Sequence, residues 1–335
     1  MKIIVPMAGW GSRLRPHTLT IPKPMVPVAG KPIVQRLCEG LVETVDEEVE
    51  SIHFVIREEF GTDIEQTLRA VADGLGTTGV IHYQDEPEGT AHAIHCAREA
   101  LDGRVIVAFA DTLFRTDFTI DPSDDGVIWV SQVDDPSAFG VVQLDDQGTI
   151  TDFVEKPDTF VSDLAIIGIY YFRDGAALGR EIRHLIDNDI RGKGDEFQLT
   201  DALENLKEKG TAFKPGRVIE WLDCGNKDAV VHTNARVLDH LAGAERPDGS
   251  QTITDSVVIE PCHLGPNVVL ENAVVGPHVS IGANTTVRNS VVRNSVVQSE
   301  TVVEHVVLEG SMVGNKARIE GRPDNLSLGD YSVHR

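Results

Sequence analysis

Residues 2–32 read KIIVPMAGWGSRLRPHTLTIPKPMVPVAGKP, and this stretch indicates how the fold begins. The apolar run Ile3–Val5 is typical of a short buried strand. Gly9 and Gly11 follow it in a Gly-x-Gly turn. Prolines at positions 16, 22, 24 and 27 then prevent a regular helix across most of the segment. We therefore predict a strand that leads into a long irregular loop.

Three cations lie in this loop, at Arg13, Arg15 and Lys23. A loop that presents backbone N–H groups and cations together suits a polyphosphate. The third glycine of a dinucleotide-binding fingerprint is absent, and so is the Gly-Lys-Ser/Thr of a Walker loop. We predict an irregular phosphate loop that binds a nucleoside triphosphate. A simple strand-to-helix turn is the alternative.

The composition limits the function classes. The formal net charge of −23 over 335 residues argues against nucleic acid as a partner, because such binding depends on cations that meet phosphates. Scattered acidic residues instead indicate a solubilising surface of a kind that suits high salt. The four cysteines form no CxxC pair and are interpreted as free thiols in a reducing compartment; they are Cys38, Cys96, Cys224 and Cys262.

No N-terminal stretch resembles a signal peptide, and no apolar run is long enough to cross a membrane. We therefore expect a cytoplasmic protein with no membrane partner.

Up to about residue 235, short apolar runs alternate with longer amphipathic ones, which predicts βα units on a mostly parallel sheet. The predicted strands are Lys2–Met7, Ser51–Ile56, Gly79–Tyr83, Val105–Ala110, Gly126–Val133 and Ile166–Phe172, with helices that begin near Pro32, Phe60, Thr90 and Leu199. Ligands of open α/β sheets bind at the carboxyl ends of the strands. The loops after Met7, Tyr83 and Ala110 should therefore lie beside one another.

The C-terminal part of the chain is repetitive. Residues 236–251 are predicted to form a helix tail and a polar link, ERPDGSQ. From Ile259 the chain continues in units of five or six residues such as GPNVVL, ENAVV, GPHVSI and GANTTV, each of which ends on an aliphatic residue. Such repeats are typical of a β-solenoid with three units per coil, here roughly three coils. An antiparallel sheet with Asn-rich turns is the alternative. The predicted domains are residues 1–235, a linker 236–252, a solenoid 253–322 and a tail 323–335.

Two aspartates are candidate metal ligands. Asp111 ends the apolar run Val105–Ala110, and Asp223 lies in the segment Trp-Leu-Asp-Cys-Gly. Carboxylate and phosphate oxygens are the ligands that Mg²⁺ prefers, so the two side chains could hold one ion against a triphosphate. A turn or helix cap is the alternative role for Asp111.

Two further motifs are candidate binding segments. Glu155-Lys156-Pro157 offers an acid and a base on one turn, which could bind a sugar hydroxyl and its phosphate; an exposed charge pair is the alternative. Gln84, shortly before the segment Glu88–Ala91, could read a base edge or cap a helix.

Together these motifs resemble the sugar-nucleotide pyrophosphorylases, the sugar-1-phosphate nucleotidylyltransferases. The N-terminal signature Gly-x-Gly-Ser-Arg-Leu-x-Pro…Pro-Lys-Pro-Met-x-Pro-Val-x-Gly-Lys-Pro carries the resemblance. It continues through Gln84…Gly89-Thr90-Ala91, Asp111, Phe139-Gly140-Val141-Val142, Glu155-Lys156-Pro157 and Trp221-Leu222-Asp223-Cys224-Gly225. The resemblance implies an α/β, Rossmann-like nucleotidyltransferase domain with a mostly parallel sheet, followed by a left-handed parallel β-helix.

The resemblance also implies the reaction NTP + sugar 1-phosphate → NDP-sugar + pyrophosphate. By analogy, Arg13 would stabilise charge on the triphosphate, Lys23 would bridge the two reacting phosphates, and Asp111 with Asp223 would hold Mg²⁺. The remaining implied contacts are Ala8, Gly9, Gly11, Ser12, Gln84, Gly89 and Thr90 for the nucleotide, and Gly140, Glu155 and Lys156 for the sugar phosphate.

The sequence departs from the common family pattern in three places. The loop from Ala8 to Arg13 is one residue shorter than the usual Ala-Gly-Gly-x-Gly-Thr-Arg, Ala110 replaces a glycine, and Asn226 replaces a threonine. The shorter loop bears on the substrate more than on the reaction. Glucose 1-phosphate with dTTP or UTP is the first expectation, and mannose 1-phosphate with GTP is the alternative.

The β-helix leaves three further possibilities. It could carry an acyltransferase, for which His263, His278 and His305 are candidate bases, so that the enzyme would be bifunctional. It could instead serve only to assemble a homo-oligomer, which is the preferred interpretation. A regulatory subunit with a degenerate catalytic domain is disfavoured because both cations and both aspartates of the implied site are present.

Overall fold

The computed structural model describes residues 1–242, 249–321 and 326–334. Packing divides the chain into two compact units that do not follow its linear order. The first unit is Met1–Gly9 with Leu37–Trp221, and the second is Trp10–Arg36 with Leu222–Arg335. The domain boundaries at residues 235, 252 and 322 stay predictions. Residues 243–248, 322–325 and 335, which include parts of the predicted linker, solenoid and tail, lie outside the described residues.

The elements up to residue 241 are thirteen strands and six helices. The strands are β1 (Lys2–Pro6), β2 (Pro27–Val28), β3 (Lys31–Pro32), β4 (Ser51–Ile56), β5 (Thr78–Tyr83), β6 (Val105–Ala108), β7 (Thr112–Arg115), β8 (Gly126–Gln132), β9 (Gly140–Leu144), β10 (Ile150–Glu155), β11 (Leu164–Phe172), β12 (Phe213–Arg217) and β13 (Glu220–Asp223). The helices are α1 (Ile33–Thr44), α2 (Thr62–Gly74), α3 (Thr90–Cys96), α4 (Gly175–Asp187), α5 (Leu199–Glu208) and α6 (Lys227–Leu241).

The first unit is built on a nine-stranded sheet, whose main path runs β10-β9-β11-β6-β1-β4-β5. Strands β5, β4, β1 and β6 are parallel, as predicted, whereas β11 pairs antiparallel with both β6 and β8. Residues Ile3–Val5 of β1 are fully buried, which is expected of a central strand covered on both faces. Helices α3, α4 and α5 contribute apolar side chains to the same core as β1 and β6. This arrangement brings the carboxyl ends of β1, β4 and β6 to one edge of the sheet.

The C-terminal residues form a three-sided parallel β-helix. Its strands are β14 (Thr252–Thr254), β15 (Val257–Val258), β16 (Cys262–Leu264), β17 (Val269–Glu271), β18 (Val274–Val275), β19 (Val279–Ile281), β20 (Thr286–Arg288), β21 (Val291–Arg293), β22 (Ser295–Val297), β23 (Val302–Glu304), β24 (Val307–Glu309), β25 (Met312–Val313), β26 (Arg318–Glu320), β27 (Ser327–Leu328) and β28 (Val333–His334). They form three parallel sheets, β14-β17-β20-β23-β26-β28, β15-β18-β21-β24 and β16-β19-β22-β25-β27. The predicted solenoid is therefore confirmed, and the antiparallel alternative is wrong; the left hand of the coil stays a prediction.

The prediction of roughly three coils is too low. Strands β14–β25 make four complete coils, and β26–β28 continue the stack. The first coil was not counted because its residues Thr252–Leu264 lack the regular units that begin farther along the chain. Its strand β14 nevertheless pairs in register with β17.

Asparagines hold the corners of the coils. Asn267, Asn272, Asn284 and Asn289 all have positive φ values between 48° and 56°, a region that asparagine tolerates better than most residues. The Asn272 amide donates to the Asn289 side-chain oxygen at 2.7 Å, one coil farther on. Inside the coils, aliphatic side chains such as Val287 and Val303 are fully buried. The repeat therefore encodes both the core and the corners.

Among the described residues, no helix combines the length and the apolar character needed to cross a bilayer.

Candidate active site

Arg57 fixes the turn after β1, although it lies in none of the predicted motifs. Ala8 is buried and Gly9 is exposed. The Arg57 guanidinium, directly after β4, donates from Nε to the Ala8 carbonyl at 2.9 Å and from Nη1 to the Asp85 carbonyl at 3.3 Å. Arg57 thereby connects the turn after β1 with the segment after β5. A cation immediately after a buried strand is the sequence signal that could have indicated it.

Gln84 and Gly89 lie together at the end of β5. Gln84 is 7% exposed, and its side-chain amide donates to the Gly89 carbonyl at 3.2 Å. Gly89 has φ +119°, and a Cβ there would lie 2.5 Å from the Phe197 carbonyl oxygen. Only glycine fits this position without displacing the Phe197 backbone. Both predicted nucleotide-binding residues therefore have a defined conformation.

Thr90 begins α3 and contacts the start of α5. Its hydroxyl accepts from the Leu199 backbone N–H at 2.9 Å and lies 3.3 Å from the Gln198 side-chain oxygen. The side chain therefore has a structural role that joins two helices.

Asp111 follows β6 at the edge where the parallel strands end, and it is exposed. Burial, together with the negative charges of Glu155 and Asp111, raises the pKa of the Tyr170 hydroxyl above its usual value. Both carboxylates therefore lie close enough to Tyr170 to affect its pKa. Asp111, the predicted metal ligand, and Glu155, a predicted sugar ligand, thus lie in one region of the first unit.

The predicted sugar-phosphate residues come together on the β9–β10 hairpin. Gly140 pairs with Glu155 across the hairpin, and a Cβ on Gly140 would lie 3.0 Å from the Glu155 Oε2. The Lys156 Nζ lies 3.6 Å from the Glu155 Oε1, and its side chain is half-exposed. Lys156 has φ +43°, and its carbonyl accepts from the Lys193 Nζ at 2.6 Å. The hairpin therefore carries the Glu155 carboxylate and the Lys156 ammonium group side by side, with Lys156 in a left-handed turn.

The second unit holds the other predicted loop residues. Gly11 has φ +79° and begins the 3-10 turn Ser12–Leu14, in which Ser12 and Arg13 are exposed. A Cβ on Gly11 would lie 2.5 Å from the Cβ of Lys23, and Lys23 is 6% exposed. The Thr18 hydroxyl donates to the Gly11 carbonyl at 2.8 Å. The loop is therefore irregular, as predicted, but it has a defined conformation.

Asp223 ends β13 and precedes α6. Its carbonyl accepts from the Thr233 hydroxyl of α6 at 2.7 Å. A Cβ on Gly225 would lie 2.8 Å from the Asp223 Oδ2, so the glycine leaves space beside the carboxylate. Asn226, one of the departures from the family pattern, caps α6 by accepting from the Ala229 N–H at 3.0 Å. Asp111 and Asp223 both offer the hard oxygen ligands that suit Mg²⁺.

A separate histidine cluster lies in the first unit. Oxygen or nitrogen atoms of His53, His82 and Glu99 lie within 4.8 Å of one another, the only such group of three or more possible metal ligands among the described residues. The rings of His53 and His82 are stacked, and His53 Nδ1 lies 2.8 Å from His82 Nε2. Burial, with the neighbouring charges of His82 and Lys2, lowers the pKa of His53 to about 4. The two imidazoles therefore lie within hydrogen-bonding distance, and burial disfavours the charged form of His53.

A model described as nucleotidyl transferase matches residues 2–240. The chain belongs to this family. The match covers every site residue predicted above, from Ala8 to Asp223. The first resemblance drawn from the motifs is therefore confirmed at the level of the family.

This nucleotidyl transferase is similar over nearly its whole length to two characterised proteins. It is 31% identical over 312 residues to the low-salt glycan biosynthesis nucleotidyltransferase Agl11 of Haloferax volcanii, covering 86% of this chain and 84% of that protein. It is 30% identical over 349 residues to glucose-1-phosphate thymidylyltransferase of Streptomyces antibioticus, covering 95% and 93%.

Two other similarities are more limited. The bifunctional protein GlmU of Methanococcus maripaludis is 28% identical over 282 residues, which cover 83% of this chain but only 62% of that protein. The crystal structure of UDP-glucose pyrophosphorylase complexed with UDP-glucose superposes with a TM-score of 0.58 at 23% identity, covering 71% of this chain and 98% of that one. This second similarity shows the nucleotidyltransferase fold.

Proposed function

We propose that the chain is a Mg²⁺-dependent nucleotidyltransferase that converts an NTP and a sugar 1-phosphate into an NDP-sugar and pyrophosphate. The observation that carries this proposal is the family match over residues 2–240, which includes all the predicted site residues. Glucose 1-phosphate with dTTP or UTP is the preferred pair, because the similarity to a glucose-1-phosphate thymidylyltransferase extends over 95% of the chain. Mannose 1-phosphate with GTP is the alternative.

In this reaction a phosphate oxygen of the sugar 1-phosphate forms a bond to the α-phosphorus of the NTP. The bond from the α-phosphorus to the oxygen that bridges to the β-phosphorus breaks, and pyrophosphate leaves with that electron pair. No covalent enzyme intermediate is needed. Positioning and electrostatic stabilisation supply the rate enhancement.

The cations of the loop would act on the phosphates. Exposed Arg13 would stabilise the charge that develops on the leaving pyrophosphate. Lys23 would bridge the α-phosphate and the incoming sugar phosphate, and Ala8, Gly9, Gly11 and Ser12 would support the phosphates of the nucleotide. Asp111 and Asp223 would hold Mg²⁺, which neutralises phosphate charge when it is bound.

The remaining residues would select and orient the substrates. Gln84, Gly89 and Thr90 would lie at the nucleoside. On the β9–β10 hairpin, Lys156 would bind the sugar phosphate, and Glu155 with the Gly140 backbone would bind sugar hydroxyls. The adjacency of these last three residues supports this assignment.

The test is a pyrophosphate-release assay with full-length protein, Mg²⁺, each NTP and a panel of sugar 1-phosphates. We expect release with at least one pair, and with dTTP or UTP and glucose 1-phosphate first. Release only with GTP and mannose 1-phosphate would select the alternative pair. No release with any pair would refute the proposed reaction.

The proposal includes a cytoplasmic homo-oligomer that the β-helix assembles. Val257, Val274, Val291 and Val307 align in register on one outer sheet, and the first and last of them are each 55% exposed. They line a groove of about 680 Å³ together with His305. A row of valines on parallel strands, exposed at its first and last members, favours a second copy of the chain as the occupant. Val307→Lys should lower the mass measured by light scattering; an unchanged mass would refute this role.

Acyl transfer is the second candidate because of the similarity to the bifunctional GlmU. Two of its three candidate bases already have structural contacts. His278 Nε2 lies 2.8 Å from the Asp239 Oδ1, and the His263 ring lies against Gly30. Incubation with acetyl-CoA and amino sugar phosphates tests this candidate, and acetyl transfer that is lost in His305→Ala would support it.

A further inference from the structure

The phosphate loop and the β-helix belong to the same compact unit, although more than 200 residues separate them in sequence. From the sequence, we expect the loop to belong to the catalytic domain and the solenoid to serve assembly. Contacts within the second unit indicate a closer connection. They occur at three places, at Asn234 of α6, at the last coil, and at Lys227 and Asp239 elsewhere in α6.

Asn234 connects the loop to the β-helix. Its side-chain oxygen accepts the Ala29 backbone N–H at 2.9 Å and the Ser280 hydroxyl at 2.7 Å. Ala29 lies in the turn of the hairpin that ends the loop, and Ser280 lies in strand β19. All three residues are at most 5% exposed, and Asn234 itself is fully buried. Removal of the Asn234 side-chain oxygen would leave the Ala29 N–H and the Ser280 hydroxyl without a hydrogen-bond acceptor, which costs free energy in a buried site.

The last coil contacts the middle of the loop. The buried His17 ring lies with Nε2 at 2.7 Å from the Ser327 hydroxyl, and Thr20 donates to Asp330. A Cβ on Gly329 would lie 2.9 Å from the Cβ of Pro16. Pro16 and His17 follow directly on the turn that carries Arg13. The coil therefore constrains the backbone just after that cation.

Helix α6 completes the connection. The Lys227 Nζ donates to the Gly310 carbonyl of the β-helix at 3.0 Å, and Asp239 pairs with His278. The same helix holds the Asp223 carbonyl through Thr233. One helix therefore contacts the coils, the loop and the backbone of a predicted metal ligand.

We propose that α6 and the β-helix form the frame of the triphosphate loop, and that Asn234 is a positioning residue for nucleotidyl transfer. This inference rests on the proposed function. The β-helix then serves the chemistry of its own chain, in addition to any role in assembly. Because reacting groups must be placed to within a fraction of an ångström, an error of about 1 Å at a remote support can lower a rate about 10²-fold.

The experiment compares full-length Asn234→Ala, Asn234→Asp and Ser280→Ala. The matched control is Asn272→Ala, which removes a hydrogen bond of the same kind from a corner of the β-helix where Asn272 contacts Asn289. Two quantities are measured: kcat and KM for each substrate, and hydrogen exchange of peptides within residues 10–30. Circular dichroism confirms that each variant is folded.

Asn234→Ala should lower kcat by about 10-fold to 100-fold and speed exchange in residues 10–30, while KM for the sugar 1-phosphate changes by less than about 3-fold. Asn234→Asp keeps an acceptor for both donors and should restore part of kcat and of the protection. Ser280→Ala should have a smaller effect of the same kind and add little to Asn234→Ala. If Asn234→Ala does not fold, Ser280→Ala decides. Asn272→Ala should retain the wild-type kcat.

Wild-type kcat and wild-type exchange in Asn234→Ala would overturn the inference, as would an equal loss of kcat in Asn272→Ala. If the wild type itself releases no pyrophosphate, the proposed function fails, and exchange alone decides the frame. Faster exchange of residues 10–30 in Asn234→Ala would then support it, and unchanged exchange would refute it.

Discussion

The sheet of the first unit and the β-helix of the second consist of similar aliphatic strands, but their contacts span different distances along the chain. In the sheet, β6 lies between β1 and β11, although β1 ends at Pro6 and β11 begins only at Leu164. In the β-helix, paired residues are 15 to 17 residues apart from coil to coil. A sheet of the first kind can collect functional residues from remote segments at one edge, whereas a solenoid offers a locally supported surface. The predicted site residues follow this division, because the predicted base and sugar residues lie in the first unit and the predicted loop residues from Gly11 to Lys23 lie in the second.

The largest expected effect tests the two predicted metal ligands, Asp111 and Asp223. Asp111→Asn and Asp223→Asn remove a carboxylate charge from the first and the second unit, respectively. Each should lower kcat by about 10²–10³-fold, the scale at which one charged or oriented group acts in such sites. Asp117→Asn makes the same change at another exposed aspartate and should leave kcat near the wild-type value. A normal kcat in either ligand variant would remove that residue from the metal site.

Features that depend on neighbouring residues could be predicted from the sequence, whereas features that depend on contacts between remote segments could not. The apolar runs of β1, β4 and β6 predict their strands to within two residues at each end. The antiparallel direction of β11 depends on long-range pairing, and no local pattern encodes it. Helix α4 was not predicted because Gly175 and Gly179 weaken its helical preference. The Asp174 cap and a buried apolar face stabilise it in the structure.

The site shows the same limit. The motifs that carry Gly140, Glu155 and Lys156 lie on one hairpin, so their adjacency follows from local pairing. Asn234 could not be identified because its two donors, Ala29 and Ser280, are remote in sequence and only the packing joins them. The five-to-six-residue repeat predicted the solenoid, but nothing in that repeat indicates that a loop more than 200 residues away packs on it.

The pH dependence of stability provides the next comparison, since each unit holds one buried histidine with a low pKa. Burial first, and the charge of Lys227 second, lower the pKa of His17 to about 4; His53 is lowered to the same value. The unfolded chain binds these protons below about pH 6.5, whereas the folded chain binds them only near pH 4. Stability should therefore be complete above pH 6.5 and fall as the pH falls from 6.5 to 4, by up to about 3 kcal/mol at His17.

Denaturant unfolding at pH 7 and pH 4.5 measures this dependence. His17→Gln should flatten the pH slope for the second unit, and His53→Gln should flatten it for the first. An unchanged slope in both variants would show that folding does not lower the pKa values of these histidines.

A smaller effect compares the two cores directly. Val107→Ala in β6 and Val303→Ala in β23 remove the same atoms from fully buried positions. Each should lower the free energy of unfolding by roughly 2 kcal/mol, from lost burial and the cavity that remains. Hydrogen exchange should show the effect of Val107→Ala across the whole sheet and that of Val303→Ala mainly in adjacent coils. If both variants changed exchange over equally large parts of their units, the expected difference between a sheet-wide and a local effect would be wrong.

The smallest effect concerns the corners of the coils. Asn289→Ala removes the acceptor of the Asn272 amide and places alanine at φ +48°. We expect a loss of about 1 kcal/mol, confined to the β-helix. Thermal unfolding measures it, with Asn188→Ala on the exposed end of α4 as the control in the first unit. If Asn289→Ala lowered the free energy of unfolding by more than Val303→Ala does, the corner asparagines would contribute more to stability than a buried valine of the core.

The most direct test of the proposed nucleotidyl transfer follows the α-phosphorus of the nucleotide. Full-length protein is incubated with Mg²⁺, glucose 1-phosphate and dTTP or UTP labelled either at the α- or at the γ-phosphate. We expect the α-label in the NDP-sugar and the γ-label in pyrophosphate, in equal amounts. An α-label that appears in free nucleoside monophosphate, or a γ-label that appears in inorganic phosphate without NDP-sugar, would contradict transfer to a sugar phosphate.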